Sequence, residues 1–271
     1  MTARASVLLA FIRRDWIIRS TYRLGLLSHL GMIFFTLAPF FFVGKLLDPS
    51  RAQALAPYGG AYFPFVLLGL AFSRYLTISL HSFAGAIREE QLQGTLEALL
   101  VSPTGLTVIV LGGALWEFLW TSLEVGLYLG LGVLVFGLDL SHADVPASVV
   151  MLGLTIMSLS SLGLFSACGI LLFKEADPVN SLLGGIMKLV SGVYFPLVLL
   201  PGWLQSIAGL FPLTYALEGV RHAMLLGRSL RELGGVCLAL CMFAAALWPL
   251  AVVSLAWTLR RLKTTGALSF R

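Results

Sequence analysis

Four ionisable side chains lie inside the long apolar runs of this sequence, and they are the first candidates for chemistry. They are Arg74, Glu117, Glu124 and Lys188. A charged side chain that faces lipid at the centre of a membrane helix costs about 2.5–3.5 kcal/mol, so all four are expected to face protein or water. Counting about 1.5 Å per residue from the predicted inner helix ends places Arg74, Glu117 and Lys188 at similar depth. We therefore predict that Glu117 neutralises Arg74 or Lys188, within one chain or across a dimer contact.

Acidic and aromatic side chains form a stripe along the third apolar run. Glu124 follows Glu117 by seven residues, which places both on one helix face, and Trp120 lies within about 60° of that line. Such a stripe suits a path for a cationic or amphipathic molecule. It also suits bridges that hold neighbouring helices together, and the sequence leaves both interpretations open.

The sequence lacks the motifs that would indicate an enzyme. It has no HExxH pair for zinc, no GxSxG elbow and no phosphate-binding GxxxxGK[ST] loop. None of the cysteines has a histidine or a second cysteine arranged as in a metal site, and the histidines are scattered. These residues are Cys168, Cys237, Cys241, His29, His81, His142 and His222. We expect no catalytic residue, metal or cofactor in this chain, and ATP hydrolysis would need a separate protein.

The elements that position these residues are membrane helices. Of the 271 residues, 58% are hydrophobic and 11% are charged, and the mean hydropathy is +0.94. Apolar runs of roughly 20 residues, the length that crosses a bilayer, recur along the whole chain. They predict an all-α integral membrane protein with a single domain, residues 1–271, and six spans. The predicted spans are 24–44, 61–84, 105–136, 147–173, 179–200 and 233–259.

Basic residues set the predicted orientation. Six spans place both termini on one side, and with the two connections that share it this side carries eleven Lys and Arg residues, against five on the other. The positive-inside rule therefore predicts cytoplasmic termini. The basic excess behind the net charge of +5 suits anionic lipid, so nucleic acid is not invoked. Segment 1–23 has Leu8, Ile12 and Trp16 on one stripe, although Arg19 interrupts it, and is predicted to be an interfacial helix.

A charged amphipathic segment, Ile87 to Pro103, lies between the second and third runs. On a helical wheel its leucines occupy one arc, while Glu90, Gly94 and Glu97 face the other way. The segment fits a helix lying on the membrane surface. It also fits a docking site, because an acidic face is unusual beside anionic lipid and a glycine permits close approach of another backbone.

The apolar region 201–225 is broken by Pro201, Gly202, Gly209 and Pro212 and cannot form a single spanning helix. We predict a re-entrant pair of short helices, since such a break at membrane depth requires cover by protein or by a water-filled cavity. It would form an outer gate. The candidate gate residues are Pro196, Pro212, Tyr215, Glu218 and Arg221, the last two spaced to pair on one helix face.

Two blocks of this sequence resemble the type-2 ABC exporter permeases. One is the charged segment with Gly94, Thr95 and Pro103, and the other is Ser191 to Leu225 with its Pro-Leu-Thr-Tyr run at 212–215. The resemblance covers essentially the whole chain. It implies that 86–103 is a coupling helix, which seats in a groove of a cytoplasmic ATPase. The residues implied to contact that ATPase are Glu89, Glu90, Gly94, Thr95 and Glu97.

The resemblance further implies a homodimeric permease in a bacterial or archaeal cytoplasmic membrane. Two ATPase subunits, which bind ATP and Mg²⁺, would drive a lipid, drug or lipid-linked glycan outward. Polysaccharide exporters tend to carry Arg-Asp closely followed by Arg-Tyr, whereas here Arg14-Asp15 precedes Tyr22-Arg23 at a longer spacing, which favours a lipid or hydrophobic drug. The alternatives are a self-sufficient secondary transporter, which typically has an internal repeat, or a membrane-embedded lipid-modifying enzyme.

Overall fold

The computed structural model describes residues 23–47, 49–92, 106–173 and 177–265, and every regular element in these ranges is helical. The α-helices are α1 (Arg23–Leu46), α2 (Tyr62–Leu92), α3 (Leu106–Leu134), α4 (Val145–Phe173), α5 (Asp177–Val190), α6 (Gly202–Ala208), α7 (Pro212–Leu225) and α8 (Gly234–Thr265). Two 3₁₀ helices, Pro49–Tyr58 and Leu197–Leu199, precede α2 and follow α5. The predicted all-helical class is confirmed for these ranges.

Five of the described helices are long and apolar enough to cross a bilayer. The apolar parts are Ser28–Leu46, Tyr62–Phe83, Ala114–Leu134, Val145–Gly169 and Gly234–Thr258. Each corresponds to one of the predicted spans. The protein is therefore an integral, multi-pass membrane protein.

The predicted fifth span, 179–200, is wrong at its outer end. Helix α5 has 14 residues, about 21 Å at 1.5 Å per residue, which is less than a bilayer core of about 30 Å. It ends at Val190, and Gly192 then adopts a φ of +77°, a left-handed conformation that favours glycine. Hydropathy extends the apolar run past this break because it does not detect backbone conformation. The count of six spans is not confirmed.

Helix α2 lies at the centre of the structure and packs most extensively against α3 and α4. Its side chains Phe65, Phe72 and Tyr75 are buried. Gly163 of α4 lies so close to the backbone carbonyl of Ser79 that an added Cβ would collide with it. Small residues permit this kind of close contact between membrane helices. The backbones of α2 and α4 therefore touch directly.

Helices α6 and α7 form where the prolines and glycines predict a break. Helix α6 begins after Pro201 and ends before Gly209, and α7 begins with Pro212 in its first turn. Proline is compatible with a first helical turn but not with a helix interior. The region is therefore two short helices, and their re-entry into the membrane stays a prediction.

Helices α1 and α8 carry large exposed apolar side chains, among them Phe35 at 75% and Val253 at 67% exposure. In a bilayer protein such surface contacts lipid or another chain. Residues 1–22 of the predicted interfacial segment and residues 93–103 of the predicted coupling helix lie outside the described residues. Ile87–Leu92, the first part of that segment, continues α2.

Candidate functional site

A carboxylate and two basic side chains form a cluster in the apolar body of the protein. Glu124 of α3 is only 4% exposed. Its Oε1 lies 2.7 Å from Nε of Arg74 and 3.2 Å from Nε2 of His29, and its Oε2 accepts a hydrogen bond of 3.2 Å from Nη2 of Arg74. Three helices, α1, α2 and α3, thus meet at one carboxylate. Such pairing offsets the cost of removing charges from water.

Within this chain Arg74 pairs with Glu124 and not with the predicted Glu117, while a pairing of Glu117 across a dimer contact stays a prediction. Helix α2 continues to Leu92, eight residues beyond the predicted end of its span, which is about 12 Å at 1.5 Å per residue. Arg74 is therefore 18 residues from the described end of α2, and Glu124 is 18 residues from the start of α3 at Leu106. The two helices run in opposite directions, so these positions meet.

The predicted pairing of Lys188 with Glu117 is not seen within this chain and stays a prediction for a dimer contact. Lys188 is half-buried on α5, and the guanidinium of Arg74 repels its ammonium group. The structure gives Lys188 no ion pair with Glu117 or any other described acid. Lys188 thus contributes positive charge to the region without closing the predicted pair.

The predicted stripe of Glu117, Trp120 and Glu124 is not uniform. Glu117 and Trp120 are half-buried, whereas Glu124 is enclosed by its two basic partners. The Trp120 ring packs near Trp116, with 6.2 Å between the centroids. This arrangement favours the structural interpretation for Glu124, while a path along Glu117 and Trp120 stays a prediction.

Arg221 of α7 is a buried cation with a different set of partners. It is 3% exposed, and it donates hydrogen bonds to the carbonyls of Phe65 (3.2 Å), Gly192 (2.9 Å) and Val193 (3.2 Å). Its guanidinium also lies 3.4 Å from the centroid of the Phe65 ring, a cation–π contact. Arg221 therefore joins α7 to α2 and to the turn after α5.

The predicted ion pair between Arg221 and Glu218 is wrong, because Arg221 bonds to backbone carbonyls in the described part of the chain. The carbonyls of Gly192 and Val193 follow the end of α5, where backbone acceptors lack the partners of a continuing helix. These two carbonyls accept hydrogen bonds from the Arg221 guanidinium instead. Gly69 makes the approach possible, because an added Cβ there would lie 2.7 Å from Nη2 of Arg221 and would collide with the Val193 carbonyl.

The predicted Pro-Leu-Thr-Tyr run joins the two short helices. Thr214 donates a hydrogen bond of 2.7 Å to the Ala208 carbonyl, and the Tyr215 hydroxyl donates one of 3.2 Å to the Gly209 carbonyl. Both acceptors lie at the end of α6, where carbonyls lack helical partners. The side chains at the start of α7 thus stabilise the end of α6.

An open cavity of about 750 Å³ adjoins this region. It lies between the end of α1, the start of α2, the end of α3 and the turn after α5. Pro196 lines it, so this candidate gate residue lies at the cavity while Arg221 holds the turn three residues earlier. Its other lining residues include Phe41, Lys45, Tyr62, Phe136 and Tyr194.

Sequence reasoning missed several residues that the structure brings into these sites. His29 had no predicted role, and Phe65 and Tyr58 were not singled out. Tyr58 stacks on His222 at 5.6 Å between the ring centroids, and burial raises the pKa of its phenol. Gly69 could have indicated the Arg221 contact, because a glycine inside a helix often marks close approach of another group. No comparable sequence signal indicates His29.

Spanning helices packed around a buried charge cluster define a multi-pass membrane protein. The sequence model of the ABC-2 type transporter family matches residues 6–225, and the chain belongs to this family. Members of the family work with ATP-binding subunits. The predicted resemblance to ABC permeases is therefore confirmed at the level of the family.

Two relatives are themselves named as permeases. The chain is 26% identical to the linearmycin resistance permease protein LnrN of Bacillus subtilis over 172 residues, which are 63% of this chain and 44% of LnrN. It is 26% identical to the inner membrane transport permease YadH of Escherichia coli over 193 residues, which are 70% of this chain and 73% of YadH. The match spans less than half the length of LnrN. These relatives indicate a transport subunit rather than an enzyme.

Proposed function

We propose that this chain is the membrane subunit of an ATP-driven exporter that moves a hydrophobic or amphipathic molecule outward. Two copies would form the path between them, and two copies of a separate ATPase, loaded with ATP and Mg²⁺, would supply the energy. The family match over residues 6–225 carries the proposal, because it includes both the charged segment and the paired short helices. A relative named as a linearmycin resistance permease supports a drug-like cargo among the candidates.

Helix α2 supports a mechanical connection between the ATPase and the membrane core. It runs without interruption from Arg74 to Leu92, a distance of about 27 Å at 1.5 Å per residue. Glu89 and Glu90 therefore belong to the same helix as Arg74, which pairs with Glu124. An ATPase that contacts these acids, and Gly94, Thr95 and Glu97 beyond them, would move the most buried helix of the structure.

Arg221 supports a connection from α2 to the outer gate. Its hydrogen bonds to Phe65 and to Gly192 and Val193 join α2, α7 and the turn after α5. A displacement of α2 would therefore reach α7 and the cavity lined by Pro196. In this proposal the termini are cytoplasmic, the membrane is a bacterial or archaeal cytoplasmic membrane, and the cavity is on the release side.

Reconstitution of the permease with its ATPase in vesicles tests the proposal. We expect outward movement of a lipid or drug that requires ATP, and we expect Glu97→Arg to abolish it while leaving the fold intact. Glu232→Arg makes the same charge change at an exposed position after α7 and is the matched control. Transport that continues without the ATPase, or that Glu97→Arg leaves unchanged, contradicts the proposal.

A further inference from the structure

A second open groove, of about 740 Å³, lies between α4, α5, α8 and the start of α7. Its apolar lining includes Leu80, Phe165, Leu183, Met187, Phe243 and Leu247. Among the described residues that line it, none is charged. The groove is separate from the cavity beside Pro196 and from the cluster around Glu124. Its lining suits an apolar chain rather than an ionic group.

One polar side chain of this groove has an unused hydrogen-bond donor. Asn180 of α5 is 6% exposed, and its Nδ2 has no hydrogen-bond partner among the described residues. The other buried polar side chain in the lining, Ser166, already donates a hydrogen bond of 2.6 Å to the Leu80 carbonyl. Buried amide donors are normally paired, so an unpaired one beside a groove indicates a missing acceptor.

The position of Asn180 indicates where that acceptor would lie. Asn180 is the fourth residue of α5, close to the end that the predicted orientation places at the inner bilayer surface. From Asn180 to Val190 the helix rises about 15 Å, half the thickness of a bilayer core. The outward face of α5 is apolar, with Val179 at 56%, Leu182 at 65% and Leu189 at 50% exposure. Where no second copy of the chain covers this face, lipid meets the groove along one leaflet.

We propose that this groove binds one acyl chain of a bilayer glycerolipid, with the ester carbonyl accepting a hydrogen bond from Nδ2 of Asn180. The ester group lies at the boundary between headgroup and hydrocarbon, and the chain extends along α5 towards Phe243 and Leu247. The Nδ2 atom itself is shielded, but the terminal torsion of an asparagine has a broad energy profile and turns the donor towards the groove at little cost. The bound chain fills space that would otherwise separate α5 from α4 and α8.

The proposal depends on the chain lying in a bilayer and not on which cargo it exports. Photolabelling tests it with the permease alone in vesicles of phosphatidylethanolamine and phosphatidylglycerol, without the ATPase. Two phosphatidylglycerol probes carry the same diazirine in the acyl or alkyl chain, one joined through an ester and one through an ether that lacks the carbonyl. We expect the ester probe to label the peptides of α5 and α8 about two- to tenfold more, which is the effect of one neutral hydrogen bond.

Variants separate the hydrogen bond from the groove. Asn180→Leu is expected to remove the preference for the ester, and Leu183→Trp is expected to reduce labelling by both probes because the indole fills the groove. Gln205→Leu removes an exposed amide that donates to the Leu200 carbonyl, and it is expected to leave the preference unchanged. Retention of the native elution volume and helical circular dichroism shows that each variant is folded.

Equal labelling of the wild-type protein by the two probes overturns the proposal, as does an unchanged preference in Asn180→Leu. If Val179→Cys forms a disulfide with its copy in a second chain and labelling is lost in that dimer, the groove is a contact between copies, and this result also overturns the proposal.

Discussion

Glu124 and Arg221 are both charged side chains buried in the apolar body of the protein, but their partners differ in kind. Glu124 meets side chains from two other helices, the guanidinium of Arg74 at 2.7 Å and the imidazole of His29 at 3.2 Å. Arg221 lies instead among three backbone carbonyls and an aromatic ring. The first arrangement neutralises charge, and the second solvates it with dipoles. A mutation at Glu124 therefore leaves a half-buried cation without a counter-charge, whereas a mutation at Arg221 leaves backbone carbonyls without a donor.

Removal of the charge at Glu124 should have the largest effect. Glu124→Gln keeps the size of the side chain but leaves Arg74 without a counter-charge, and breaking a buried pair in this way costs about 3–5 kcal/mol. We expect the free energy of unfolding in bicelles, followed by circular dichroism, to fall by that amount. Glu232→Gln, at an exposed position, is the control. A loss below about 1 kcal/mol would show that the cluster is not a neutralised pair.

The double variant Glu124→Gln/Arg74→Gln sharpens the same test. Because it removes the stranded cation as well, it should be more stable than the sum of the two single variants predicts. The coupling free energy is expected to exceed about 1 kcal/mol, as for residues in one charge network. Additive losses would place Arg74 and Glu124 in separate environments.

Arg221→Met should have an intermediate effect. The methionine fills much of the same space and leaves no ion without a partner, but the carbonyls of Gly192 and Val193 lose their donor. An unsatisfied buried acceptor costs about 1–3 kcal/mol. The same unfolding measurement should therefore give a smaller loss than Glu124→Gln, and a larger loss would reverse the comparison between the two sites.

His29→Gln should cost less again, about 1 kcal/mol or below. The His29 side chain is 26% exposed, and Arg74 continues to neutralise the carboxylate after its removal. A glutamine can also donate a hydrogen bond from a similar position. If the loss equals that of Glu124→Gln, His29 rather than Arg74 is the main counter-charge of the cluster.

The smallest expected effect is the coupling free energy between Glu218 and Arg221. Since Arg221 takes carbonyls as its partners, the effects of Glu218→Gln and Arg221→Met should add within about 0.5 kcal/mol. A double-mutant cycle in the unfolding assay measures this directly. A coupling above about 1 kcal/mol would restore the ion pair suggested by their spacing.

The features that depend on local sequence were the ones that could be predicted. The lengths of the apolar runs predicted the helices of spanning size. Pro201, Gly209 and Pro212 predicted the break between α6 and α7. The charge partners could not be predicted, because a pairing between helices depends on where each helix ends. The eight additional residues of α2 moved the partner of Arg74 from Glu117 to Glu124.

The turn after α5 could not be predicted from the sequence for a related reason. Tyr194 and Phe195 continue the apolar run, so hydropathy assigns them to a span although the helix ends at Val190. Apolar residues in an extended segment and in a buried helix look alike by hydropathy. The attraction of Arg221 to the carbonyls exposed at this turn depends on the tertiary structure, as does the unpaired amide of Asn180 in its groove.

The contact of Gly163 with the Ser79 carbonyl constrains how this protein can change shape. At this point the two backbones have no layer of side chains between them that could adopt different rotamers during a movement. Sliding or separating α2 and α4 would lose that contact without an alternative packing to replace it. We therefore expect α2 and α4 to keep this contact and to move together, so that a working cycle changes the packing of other helices against this pair.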